Sequence, residues 1–176
     1  MEIFDDDIML RTDIGIEYAA DLMKIMNERN LNLYIASRSF PINYSKEDAI
    51  AFIRRNREVF GQRFAIDFFI FIGNELAGVV TLDDIDYENK SAHIGYILGK
   101  KYRNHGYMTR SVSIVIDYGN KTLKLHRIYT SVIEFNKRSL SVLLNNGFYI
   151  EGISRDSFLY NGRFYSMIRV ARIFNY

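Results

Sequence analysis

The sequence predicts a mixed α/β fold, an α+β mixed sheet with N-terminal helices, an antiparallel meander, a central βαβ unit and a C-terminal β-hairpin, and three observations carry that expectation. Two pairs of β-rich segments are each joined by a hairpin turn. A strand, a glycine-containing loop, a helix and a second strand follow one another mid-chain. Amphipathic helical stretches precede both features. With 176 residues, 48% hydrophobic and 25% charged, the chain can bury one substantial core and is short for two. Residues 1–176 therefore read as a single domain.

Ile8 to Arg11 alternates weakly, as a first strand would. Asp13 stands where it can cap a helix with Ile16, Ala20, Met23 and Met26 at helical spacing. A second helix is expected after a turn at Pro41. There Ser45 and Asp48 have the spacing of a capping box, and Ala49, Phe52, Ile53 and Phe60 share a face. Phe64 to Ile72 and Leu76 to Ile85 are β-rich and joined by Gly73-Asn74-Glu75, a hairpin connection. A third strand covers Ala92 to Leu98. Past the loop, Met108, Val112, Val115 and Ile116 form one helical stripe, and Arg127 to Ile133 reads as a strand, which completes a crossover unit. Asn136 opens a further helix with Leu140, Leu143 and Leu144 inward, and Gly147 sits where a left-handed residue would end it. Phe148 to Tyr160, Asn161-Gly162 and Arg163 to Ile173 spell a long hairpin with a tight primed turn.

Composition excludes several classes of chemistry. There is no cysteine, so neither a thiolate metal site nor a cysteine nucleophile is available, and three scattered histidines make a zinc cluster improbable. Catalysis would have to come from hydroxyls, carboxylates, histidine or backbone groups. No window approaches the ~18 apolar residues of a membrane span, and the acidic N-terminus lacks a basic secretion signal, so the cytoplasm is the expected location. A net charge of +2, with basic and acidic residues interleaved, does not point to nucleic acid.

The stretch from Tyr96 to Thr109 carries the chemistry. A strand delivers the chain to a loop, and a helix starts near Gly106. A helix N-terminus presents unpaired N–H groups and about half a positive charge, which receives a phosphate or diphosphate. Arg103 adds a formal charge, and Gly106 lets the backbone approach a ligand with no Cβ in the way. An ordinary strand-to-helix turn would look the same in isolation. A nucleotide-binding loop of the G-x-x-x-x-G-K-S/T or G-x-G-x-x-G kind is absent.

Read together, IGYILGKKYRNHGYMT, LHRIY, NKRSLSVLLNNGF, EG and YNGRFY stand in the order found in the GNAT superfamily of N-acetyltransferases. The resemblance is closest to the Rim branch, which acetylates the N-termini of ribosomal proteins, and it covers about residues 64–173. The family signature is Q/R-x-x-G-x-G/A; Arg103 and Gly106 match it, and Met108 stands where a small residue is usual. The resemblance implies acetyl-CoA as acyl donor and no metal. The diphosphate would lie on Arg103, Asn104, His105, Gly106, Tyr107, Met108 and Thr109, and pantetheine beside Ile97, Leu98 and Asn136. The crevice where parallel strands part is also where ligands bind in open α/β sheets.

Direct aminolysis of a thioester needs a neutral amine, a stabilised oxyanion and a donor to the departing thiolate. Many family members use a tyrosine as that donor; counting from Asn136, its position here is Leu143, which has no proton to give. Ser139 is the alternative, and a serine there is characteristic of the Rim branch. For the base, His93 on the strand leading to the loop is the first candidate, because imidazole titrates near neutrality. Asp84 and Asp86 are the alternatives. Presenting a neutral amine at pH 7 costs about 1 kcal/mol for an α-amino group of pKa near 7.8 and about 4.6 kcal/mol for a lysine near 10.4. A weak, water-relayed base therefore suits a protein N-terminus better than lysine. The expected acceptor is thus an α-amino group, with a small amine (aminoglycoside, polyamine or amino-acid derivative) or a silent CoA-binding module as the other readings. Neither membrane nor direct nucleic-acid contact is expected, and a homodimer is left open.

Overall fold

In the computed structural model, which describes residues 1–28, 31, 43–62 and 64–175, eight strands form one sheet. They are β1 (Glu2–Asp5), β2 (Ile8–Arg11), β3 (Ile66–Ile72), β4 (Glu75–Asp86), β5 (Ser91–Leu98), β6 (Arg127–Ile133), β7 (Tyr149–Tyr160) and β8 (Arg163–Ile173). The spatial order is β1-β2-β3-β4-β5-β6-β8-β7. Only β5 and β6 run parallel, through the pairs Ser91–Arg127, Ala92–Ile128 and His93–Tyr129; the other neighbours are antiparallel. Four α-helices are described: α1 (Ala19–Met26), α2 (Lys46–Gln62), α3 (Tyr107–Lys121) and α4 (Lys137–Asn145). This is the mixed α/β arrangement the sequence predicts, with the βαβ unit β5–α3–β6 at its centre.

Alternation along the strands builds two cores. In β3, Phe68 and Ile70 enter one face with Val80, Leu82 and Ile94 of the neighbouring strands and Met108, Val112, Val115 and Ile116 of α3. Phe69 and Phe71 enter the other, with Leu22 and Ile25 of α1 and Ala49 and Ile53 of α2. A strand apolar on both faces needs cover on both, which the two helical layers supply. Burying each such side chain contributes about 1.5–3 kcal/mol.

The structure departs from the expected element list at the N-terminal end. A β1–β2 hairpin precedes the helices, its turn made by Asp6 with φ +50. Asp13 does not cap a helix: the chain enters a 3₁₀ turn at Ile16–Tyr18 after Gly15, and α1 follows. Ile16 is 49% exposed, and the buried stripe is Ala19, Leu22, Ile25 and Met26. The helical repeat holds, but its phase is set by what packs on β3 and β4 and not by the first apolar residue. The expected turn at Pro41 and the side chain of Phe60 lie outside the described residues.

Later elements follow their local signals closely. Ser45 and Asp48 close a reciprocal capping box, with the Ser45 N–H and hydroxyl both donating to Asp48 Oδ2 at 2.8 Å and the Asp48 N–H donating to Ser45 Oγ at 3.0 Å. Asn161 (φ +47) and Gly162 (φ +75) form the primed turn of the β7–β8 hairpin. In α4, Leu143 is fully buried and Leu140 partly so, while Leu144 is 44% exposed and does not face inward.

Candidate active site

β5 and β6 stop pairing at His93–Tyr129, although β5 runs on to Leu98 and β6 to Ile133. Beyond that pair the two strands part, and the wedge between them is the site. On its β5 side the hydrogen-bond alternation of an antiparallel pair decides which backbone groups face in. Gly99 N–H donates to Ala77 O at 2.8 Å, so Ile97 also turns its N–H toward β4, while Tyr96 and Leu98 turn theirs into the wedge. Of the two predicted pantetheine contacts, Leu98 therefore presents a free amide to the opening. Ile97 presents its side chain, packed with the α1/α2 core.

The loop after Leu98 is held from outside. Arg103 Nε donates to Leu98 O at 2.8 Å and its Nη2 to Glu28 Oε2 at 2.5 Å, and Glu28 Oε1 also accepts from Lys100 N–H at 2.5 Å. The guanidinium is thus committed first to fixing the loop, a role the sequence did not reveal because Glu28 lies 75 positions away. Asn104 (φ +67), His105 and Gly106 (φ +80) are exposed, and a Cβ built on Gly106 would meet nothing within 4 Å. Space for a ligand is therefore open at this point.

The α3 start differs from that of α4. No side chain caps α3, so the N–H groups of Tyr107, Met108 and Thr109 have no capping partner, and the first helical bond is Arg110 N–H to Gly106 O at 3.1 Å. In α4, Asn136 Oδ1 takes the Ser139 N–H at 3.2 Å. An uncapped first turn beside a left-handed glycine fits a diphosphate, whose oxygens would complete the missing bonds. Met108 contributes only its backbone, because its side chain is buried in the α3-side core. Thr109 O accepts from Asn146 Nδ2 at 3.0 Å, joining α3 to the end of α4.

The β1–β2 turn clamps the same helix start. Arg110 donates to Asp5 Oδ2 at 2.9 Å, Asp7 Oδ1 at 2.9 Å and Asp5 O at 2.8 Å. Hydrogen bonds from Tyr107 and then Arg110 hold the Asp7 carboxyl below the usual carboxylate range. His105 stacks against Tyr107 with ring centres 5.8 Å apart.

His93 sits at the apex of the wedge. Its Nδ1 lies 2.6 Å from Asp83 Oδ1 on β4 and its Nε2 3.0 Å from Thr130 Oγ1 on β6. With a carboxylate on Nδ1, the favoured tautomer carries the proton there and leaves Nε2 as the basic nitrogen. The Thr130 hydroxyl can rotate from donor to acceptor as Nε2 gains a proton. The His93 side chain is 32% exposed, so it remains reachable. Neither carboxylate named from the sequence occupies this place: Asp84 is exposed in a left-handed bulge, and Asp86 accepts hydrogen bonds from Asn89 in its own turn.

Ser139, in the first turn of α4, faces the wedge from the other side. Its hydroxyl lies 2.8 Å from Tyr96 Oη, which also donates to Ser139 O at 3.0 Å. Tyr96, Asp83, Thr130 and Glu28 carry no local sequence signal; each is polar and unremarkable in its own segment and finds its partner in another one. Among the described residues, no three His, Asp or Glu side chains are grouped to hold a metal.

The chain is similar to known acetyltransferases in sequence and in fold. The putative ribosomal N-acetyltransferase YdaF of Bacillus subtilis (strain 168) is 27% identical over 154 residues, 86% of this chain and 82% of its own length. The spermidine N(1)-acetyltransferase of Escherichia coli (strain K12) is 29% identical over 103 residues, and the match spans 58% of this chain and only 55% of that enzyme. Among solved structures, the microcin C7 self-immunity acetyltransferase MccE, in complex with acetyl-CoA and AMP, superposes with a TM-score of 0.83 at 28% identity over 97% of this chain and 94% of its own. The acetyltransferase (GNAT) domain model matches residues 10–149, from β2 through the wedge to the start of β7, and on that match the chain belongs to the GNAT acetyltransferase family.

Proposed function

We propose that residues 1–176 act as one acetyl-CoA-dependent N-acetyltransferase domain that passes the acetyl group directly to a peptide α-amino group in the cytoplasm. The observation that carries this reading is the wedge itself. An uncapped helix start lies at one end for the diphosphate, a free Leu98 amide lies beside the thioester path, and a histidine–carboxylate pair stands at the apex.

In this mechanism the amine nitrogen attacks the thioester carbonyl, and the Leu98 N–H receives the developing oxyanion. Losing one such donor costs about 10²- to 10³-fold in rate. His93 Nε2 takes the amine proton, with Asp83 orienting the ring and stabilising the imidazolium. His93 and Tyr96 are three strand residues apart, about 10 Å along the strand, and side-chain alternation sets them on opposite faces. A water relay therefore connects base and amine. The C–S bond breaks with its electron pair going to sulfur, where the Ser139 hydroxyl donates.

The acceptor follows from the cost of presenting a neutral amine to a base reached through water. An α-amino group is easier to neutralise than a lysine by about 3.5 kcal/mol at pH 7. YdaF is named as a putative ribosomal N-acetyltransferase, which agrees. The E. coli relative acts on spermidine, which makes a polyamine the acceptor to test against. The test is thiol release from acetyl-CoA with peptides bearing free N-termini, the same peptides N-blocked but carrying lysine, and spermidine. Transfer to free N-termini well above the other two is the expected result. Preference for spermidine would overturn the acceptor assignment, and no transfer to any amine, including a ribosomal extract, would overturn the activity.

A further inference from the structure

Tyr96 is the polar residue of the wedge that the reaction just described leaves without a task. β5 loses contact with β6 after His93, so three residues later the Tyr96 side chain leaves an unpaired edge. It projects into the α3/α4-side core, packed against that cluster, and its phenol reaches across to α4. There Oη lies 2.8 Å from the hydroxyl of Ser139 and 3.0 Å from its carbonyl, while the Ser139 N–H is taken by Asn136. The hydroxyl and carbonyl of this serine are thus both met by a side chain from another element, and its amide by the Asn136 cap of its own turn. Capping alone requires only the last of these.

Resting on the reading of Ser139 as donor to the leaving sulfur, we propose that Tyr96 is a positioning residue for that step. Its one hydrogen can go to Ser139 O or to Ser139 Oγ; turned to Oγ when sulfur arrives, it leaves the single serine hydrogen free to point along the wedge to the thiolate. The alternative arrangement, with Ser139 donating to the phenol oxygen, would consume the hydrogen the sulfur needs. Both acceptor atoms of Ser139 lie within reach of Tyr96, so the phenol keeps a partner in either arrangement, and arrival of sulfur decides between them.

Tyr96 supplies geometry and not the proton. Burial pushes its pKa well above the ordinary phenol value, against a smaller opposing effect of the Ser139 hydrogen bond. A relay in which Tyr96 reprotonates Ser139 would leave a phenolate in that buried place. The balance of the step closes without it. The C–S electron pair ends on sulfur, stabilised by the Ser139 hydrogen, and the amine proton ends on His93.

A double-mutant cycle in the full chain tests this. Tyr96→Phe keeps the ring and its packing, and it is expected to lower kcat about tenfold while acetyl-CoA affinity and melting temperature stay near those of the parent. In a Ser139→Ala background the same change is expected to cost less than about twofold, because the group being positioned is gone. Ser139→Thr, which keeps a hydroxyl, should restore sensitivity to Tyr96→Phe. An equal loss in the parent and Ser139→Ala backgrounds, with Ser139→Ala itself slow, would overturn the role of Tyr96 and leave that of Ser139 intact. Unchanged turnover in Tyr96→Phe would do the same. Unchanged turnover in Ser139→Ala would instead overturn the reading of Ser139, and this inference with it.

Discussion

Asp84 takes φ +49 within β4, and the extra residue inserted there changes which carboxylate meets His93. The ladder opens at Asp86–Ser91; continued regularly it would set Asp84 opposite His93, but past the bulge Asp83 holds that place. A bulge re-aims side chains by one residue and so swaps the faces of those that follow. His93 was legible from its strand and its chemistry. Its partner was not, since an acid-rich turn offers several carboxylates and only the bulge selects among them. The consequence is a contrast between neighbours. Asp83→Asn removes a charge-assisted hydrogen bond of about 1.5–3 kcal/mol, so kcat should fall about 10- to 100-fold with little change in KM for acetyl-CoA. Asp84→Asn, at an exposed side chain, should leave kcat within about twofold. Steady-state kinetics of the two variants checks this, and equal losses would mean that the pair at the apex does not orient the base.

Helix starts show what local sequence decides. The Ser45–Asp48 box and the Asn136 cap were readable because both partners lie within one turn, and the Asn161-Gly162 turn because two successive left-handed residues need that pair. The phase of α1 and the existence of β1 were not. The first depends on which stripe meets the sheet, the second on Glu2–Asp5 finding β2 as a partner. The α2 cap has a measurable pH signature. Hydrogen bonds from the Ser45 backbone N–H and then its hydroxyl hold the Asp48 carboxyl below its ordinary value of 3.8. A depressed carboxyl contributes stability above its unfolded pKa and loses it as pH falls through the lower folded value. The first turn of α2 should therefore stay protected from amide exchange at pH 5 and open as the pH drops below 3.8. In Asp48→Asn that dependence should be absent; an unaltered acid response in the variant would assign it to another carboxylate.

At the scale of the molecule, β1–β5 and β6–β8 are two arms of one sheet joined by three parallel pairs at Ser91–His93. Other links cross between the arms: α3, packed on both through Leu82, Ile94 and Ile128, and the Tyr96–Ser139 contact. The order of these parts, strand, loop, helix, strand, was legible because each has its own period. How the arms are tied was not, since Tyr96 and Ser139 are 43 residues apart in sequence. An acyl donor lying in the wedge would touch Leu98 on one arm and the α4 start on the other, so its binding energy would hold the arms together. At a concentration 100 times its dissociation constant it would add about 2.7 kcal/mol to the folded state. For a chain of this size that corresponds to a rise in Tm of about 5–11 °C. Calorimetry should show one transition moving by that amount as a unit. Two transitions, of which acetyl-CoA moves only one, would mean that the ligand grips a single arm and that the wedge is not its seat.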